Sequence, residues 1–161
     1  MTENSTTPGA AWLNETHTVC GGQITLAKAG TGAPILVLPR DNGHAPANDF
    51  LDRLAANNTV YYPWYPGFHG GGDVAAWEWL ANPRDLAVVQ LQLLDALSLE
   101  RPTVIGLGFG GWIAAEMATM RAHALGSLVL VSPMGIQPKD GFIHDQFIFS
   151  TEAYARTAFH D

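Results

Sequence analysis

The residues between Thr103 and Arg121 have the types and spacing that chemistry needs. Thr103 to Gly106 (TVIG) reads as a short buried strand and Gly110 to Arg121 (GGWIAAEMATMR) as a helix, with Gly106-Leu107-Gly108-Phe109-Gly110 as the joint. A strand-to-helix turn of the pattern G-x-S-x-G raises a serine hydroxyl at the edge of a sheet. Here Gly108 stands at the serine position. The spacing predicts an intact turn that carries no nucleophile. Covalent acyl transfer needs a nucleophile, a base within hydrogen-bond reach and an orienting acid, and glycine removes the first. It leaves the backbone donors. The Phe109 amide at the helix N-terminus, faced by an amide near Arg40 or Asp41, could still hold an oxyanion or an anionic ligand without a covalent step. The functional reading is a water- or histidine-mediated reaction, or ligand binding alone. The competing reading is a pocket without activity, or a glycine that relieves strain at the turn.

Other polar candidates lie on loops at the C-terminal ends of strands, where open α/β sheets bind ligands. Asp41, His44, His69 and Asp73 are there, and Asp41 and His44 could approach one pocket. Against this, all four read equally as solvated or loop-packing residues. The aromatics Trp64, Tyr65 and Phe68, with Trp77, Trp79 and the helical Trp112, either line an apolar pocket or pack in the ordinary way. The remaining histidines show no metal-ligand spacing, and neither a metal nor a cofactor is expected. Gly106-x-Gly108-x-x-Gly111 also fits the dinucleotide fingerprint G-x-G-x-x-G. That motif wants an acidic residue at the end of the next strand, and here Ser132-Pro133 follows instead.

The elements that must position these residues follow from periodicity. Thr16–Cys20 and Gln23–Ala29 alternate around Gly21-Gly22 and predict a hairpin. Ile35–Leu38 (ILVL) is a continuous apolar run, as suits a strand covered on both faces. Asn48–Ala56 predicts a short helix, Thr59–Tyr62 a strand, and Pro63–Asp73 a loop. Asn82-Pro83 opens a helix in the favoured cap-then-proline order, running to about Leu97 with Leu86, Val89, Leu93 and Leu97 at helical spacing. Strand 103–106, helix 110–122 and strand Ser127–Val131 complete a hairpin followed by alternating strands and helices. That order implies a doubly wound, mostly parallel sheet. From Asp140 the sequence turns aromatic-rich and predicts one or two amphipathic helices.

Composition bounds the rest. The chain has 161 residues and a net charge of −7, with 47% hydrophobic and only 14% charged residues. The acidic balance argues against nucleic acid, and a chain this poor in charge hides surface in a core or against other protein. The N-terminus lacks the features of a signal peptide, and there is no apolar run of about 20 residues to span a membrane. The lone Cys20, expected as a small core residue, fits a reducing cytoplasm.

Taken together, the motifs resemble the N-terminal half of an α/β-hydrolase, over about residues 16–140. The hairpin is similar to that family's first two strands and ILVL to its third. NTVYYPWYPGFHGGG resembles the fourth strand and its loop, often D-x-P-G-x-G in relatives. TVIGLGFGGWIAAEMA resembles the elbow and its helix, and LVLVSPMGI the sixth strand leading into a cap. The resemblance implies a leader over 1–15, a hydrolase core over 16–139 and the start of a helical cap over 140–161. It implies action on a small apolar ester or amide, or ligand binding on the same scaffold. Three departures stand out. Gly108 replaces the serine. The third strand runs into Pro39-Arg40-Asp41-Asn42-Gly43 where relatives read His-Gly. The family's last two strands, which bring the triad acid and histidine, have no counterpart, so a completing segment, partner or dimer is expected.

Overall fold

The computed structural model describes residues 10–41, 49–67, 74–141 and 150–158. Six strands form one sheet in the order β1-β2-β4-β3-β5-β6. They are β1 (Leu13–Val19), β2 (Gly22–Ala29), β3 (Ala33–Leu38), β4 (Asn58–Pro63), β5 (Thr103–Leu107) and β6 (Ser127–Val131). β1 pairs antiparallel with β2, and β2 antiparallel with β4. β4, β3, β5 and β6 then run parallel. All six strands lie where the periodicity places them.

The hairpin differs in detail. Its turn is Cys20-Gly21, closed by the pair Val19 and Gly22. Both turn residues have positive φ, 49° and 80°, as a two-residue turn matched to strand twist requires. Cys20 is therefore exposed at the tip rather than in the core, which corrects the sequence expectation. β1 also begins at Leu13, inside the stretch read as leader, and the Trp12 indole donates to Asp52 at 2.8 Å.

The helices cover the sheet unevenly. α1 (Asp49–Ala55) packs on one face, where Leu51 and Ala55 meet Ile35, Val37, Val60 and Tyr62. α2 (Pro83–Ala96) and α3 (Phe109–Arg121) cover the other face, around Leu26, Leu36, Leu38 and Val104. Asn82 caps α2: its side chain accepts from the Arg84 and Asp85 amides at 2.9 and 3.2 Å. The Asp85 carboxylate returns to the Asn82 amide at 3.2 Å, completing a capping box. Arg121 clasps α3 to α2 through a two-pronged bond to Asp95 at 2.7 and 2.8 Å. That bond holds the Asp95 carboxyl below the usual carboxylate range. The clasp therefore contributes at neutral pH and fades as pH falls below about 4; at this exposure it contributes no more than about 1 kcal/mol.

A single 3-10 turn, Val74–Trp77, precedes α2. Trp77 is buried in the core under α2 and α3, against Gly22, where any side chain would run into its ring. It packs as core, whereas Trp79 stays 44% exposed. Beyond β6, α4 (Thr151–Ala158) supplies a helix in the stretch expected to be helical. β6 itself is an edge strand with Leu128, Val129 and Val131 at 38%, 43% and 45% exposure.

Candidate functional site

β5 and α3 meet at Gly108, whose backbone (φ 51°, ψ −112°) lies in a region that disfavours side chains. Three hydrogen bonds hold it there. The Gly108 N–H donates to the Val131 carbonyl at 2.9 Å, and the Gly108 carbonyl accepts from the Gly111 and Met134 amides at 3.0 and 2.9 Å. Two of these three come from the end of β6.

The glycines of the joint are not equivalent. A Cβ at Gly106 would lie 2.6 Å from the Gly111 Cα, and one at Gly111 would lie 2.8 Å from the Pro133 side chain. A Cβ at Gly110 would lie 2.6 Å from the Pro39 carbonyl oxygen and closer still to that of Leu38. Close helix-to-strand packing thus accounts for Gly106 and Gly111, the two outer glycines of the dinucleotide-like pattern. At Gly108 the first atoms met belong to the Arg40 side chain, at an ordinary 3.6 Å. Gly108 is thus the glycine of the joint at which an added Cβ makes only ordinary contact.

Arg40 is exposed beside that position, and among the described residues no carboxylate pairs with it. The loop that carries it is fixed by Pro39, whose carbonyl accepts from the Gly110 N–H at 3.0 Å and from the Tyr65 hydroxyl at 3.0 Å. A trans peptide sets its N–H opposite its C=O, so the Arg40 N–H points away from the Gly110 amide. Asp41 carries the next amide of the same loop. The Phe109 N–H is the first donor of α3, where the helix dipole adds partial positive charge. Among the described residues neither the Phe109 nor the Asp41 amide has an acceptor.

Aromatic rings pack at the start of α3. Tyr65 meets Phe109 edge-on at 5.8 Å, and Phe109 meets Trp112 edge-on at 6.4 Å. Tyr65 is 4% exposed, and burial raises its hydroxyl pKa well above the usual tyrosine value, so it stays a proton donor. Trp64 is half-buried, with its amide on the Thr25 carbonyl at 2.9 Å. Gly108, Phe109, Arg40, Asp41 and Trp112 thus surround one turn or the loop beside it. His44, His69 and Asp73 lie outside the described residues. The sequence reading took Tyr65 only as one aromatic of a loop; its bond to Pro39 joins residues 26 apart and leaves no local signal.

No family model and no curated protein matches the chain. Solved structures do. A bacterial membrane phospholipase A, described as a virulence factor, matches with a TM-score of 0.70 at 20% identity, over 81% of this chain and 42% of its own. An epoxide hydrolase matches at 0.65 and 20%, over 83% and 47%. An α/β-hydrolase fold protein from Burkholderia ambifaria matches at 0.65 and 20%, over 81% and 48%. The chain has the α/β-hydrolase fold. It spans about half the length of these structures.

Proposed function

We propose that the elbow is a non-covalent site for a small apolar molecule that presents a carbonyl or anionic oxygen to the Phe109 and Asp41 amides. The observation that supports this reading is the contrast at the joint: its outer glycines are packed shut, while at position 108 an added Cβ would make only ordinary contact with Arg40, and the glycine there holds no nucleophile. Phe109 and Trp112 would take the apolar body of the ligand. The test is titration with 4-nitrophenyl butyrate and with butyrate, followed by the Phe109 amide resonance and by nitrophenolate release. We expect a saturable Phe109 shift without a nitrophenolate burst. A burst would reveal covalent chemistry, and an unmoved Phe109 resonance would remove the site.

A second expectation concerns the vacant position itself. Gly108→Ser should fold, losing about 1–3 kcal/mol to backbone strain, because its Cβ meets only Arg40 at 3.6 Å. In the presence of a base and an acid it should gain a covalent adduct with an aryl phosphonate, read by intact mass. A folded variant without adduct would mean that those partners are absent or misplaced.

The partner of the sheet is proposed on separate grounds. β6 exposes Val129 and Val131 at its edge, and an uncovered apolar edge invites pairing. A further strand from a completing segment or partner would cover it; the matched structures are about twice as long. The 161-residue chain alone should then self-associate, and Val129→Lys with Val131→Lys should shift it toward monomer in sedimentation. A monodisperse, cooperatively unfolding monomer without those changes would refute the proposal. We place the protein in the cytoplasm, where a free exposed thiol such as Cys20 persists; among the described residues no helix is long and apolar enough to cross a membrane.

A further inference from the structure

We propose that Tyr65 is the positioning residue of the elbow, setting the two amide donors relative to each other. This rests on the reading of the elbow as an oxygen-binding site.

The Tyr65 side chain reaches both halves of that site. Its hydroxyl donates to the Pro39 carbonyl at 3.0 Å, on the loop that carries Arg40 and Asp41. Its ring packs edge-on against Phe109 at 5.8 Å, on the residue that carries the helix donor. The acceptor is shared as well, since the same Pro39 oxygen takes the Gly110 N–H at 3.0 Å. One carbonyl therefore joins three segments: the end of β3, the loop after β4 and the first turn of α3. The ring is rigid, having only two side-chain torsions, and nearly wholly buried at 4% exposure. Its position is set from behind by the Trp64 amide on β2. A shift of the Pro39 carbonyl would rotate the following peptides and move the Asp41 amide with them.

A tyrosine that merely fills the core would be replaced by phenylalanine with no effect particular to the elbow. Tyr65→Phe keeps the ring contact with Phe109 and removes the hydroxyl that straps Pro39. In the otherwise unchanged chain we expect hydrogen exchange at the Gly110 amide to accelerate about tenfold, the effect of one ordinary hydrogen bond on a local opening equilibrium. Amides of Val37 and Ile113, in the neighbouring strand and helix, should keep their rates. An unchanged Gly110 rate, or a rise shared equally by Val37 and Ile113, would overturn the proposal. A second comparison sets Gly108→Ser beside the same variant carrying Tyr65→Phe, both reacted with an aryl phosphonate. The double variant should label several-fold more slowly, and equal rates would overturn the proposal. If Gly108→Ser takes no label at all, the base and acid are absent or misplaced and the exchange measurement alone decides the role of Tyr65, while an unmoved Phe109 resonance in the ligand titration is what would remove the site itself.

Discussion

Gly110→Ala is expected to destabilise the protein by about 3 kcal/mol, more than any substitution by alanine at Gly108. Conformation alone gives the opposite order. Gly110 lies within α3, where alanine is better than glycine by about 1 kcal/mol. Gly108, at φ 51° and ψ −112°, is where a Cβ carries strain of about 1–3 kcal/mol. Packing reverses the order. The Cβ at 110 would press into the carbonyls of Leu38 and Pro39, and these are backbone atoms that cannot rotate aside. Relief would require α3 to move off the end of β3, breaking the Gly110 to Pro39 hydrogen bond of 3.0 Å. Urea unfolding of the two variants checks this: Gly108→Ala should keep the higher midpoint, and the reverse order would show that the helix can shift at little cost.

The second large effect runs toward stability. Gln90 is 0% exposed on the buried face of α2, and among the described residues neither atom of its amide finds a hydrogen-bond partner. A buried unsatisfied polar group costs about 1–3 kcal/mol. Methionine matches its unbranched shape and carries no such requirement. Gln90→Met should therefore stabilise the protein by about 2 kcal/mol and raise Tm by roughly 4–8 °C for a chain of this size. Calorimetry reads the result. An unchanged or lowered Tm would show that an internal water satisfies the amide.

Gln90 also shows where the sequence stops being legible. The stripe Leu86, Val89, Leu93 and Leu97 announces an amphipathic helix, and Gln90 falls in the middle of it by spacing. A polar residue inside an apolar stripe carries no local sign of whether it turns outward or is trapped. The strands were legible because their signal is short-range: ILVL and SLVLV are continuous apolar runs, and Asn82-Pro83 writes its own cap. The elbow was legible for the same reason, since its glycines are close in sequence. The clamp on that elbow was not. It comes from Val131, Met134, Pro39 and Tyr65, brought together only by the order of strands in the sheet. Cys20 was misplaced because apolar character suggested core, whereas the left-handed backbone of a two-residue turn put it at the tip.

The bonds from Val131 and Met134 to Gly108 have one more consequence. The shape of the elbow is borrowed from β6 and the turn after it, and among the described strands β6 comes last in chain order and forms one edge of the sheet. Edge strands fray at low free energy, so the turn can be no more rigid than the strand that holds it. Whatever covers β6 would therefore also slow the opening of Gly108, and the stiffness of the site is set at the rim of the sheet rather than within the pocket.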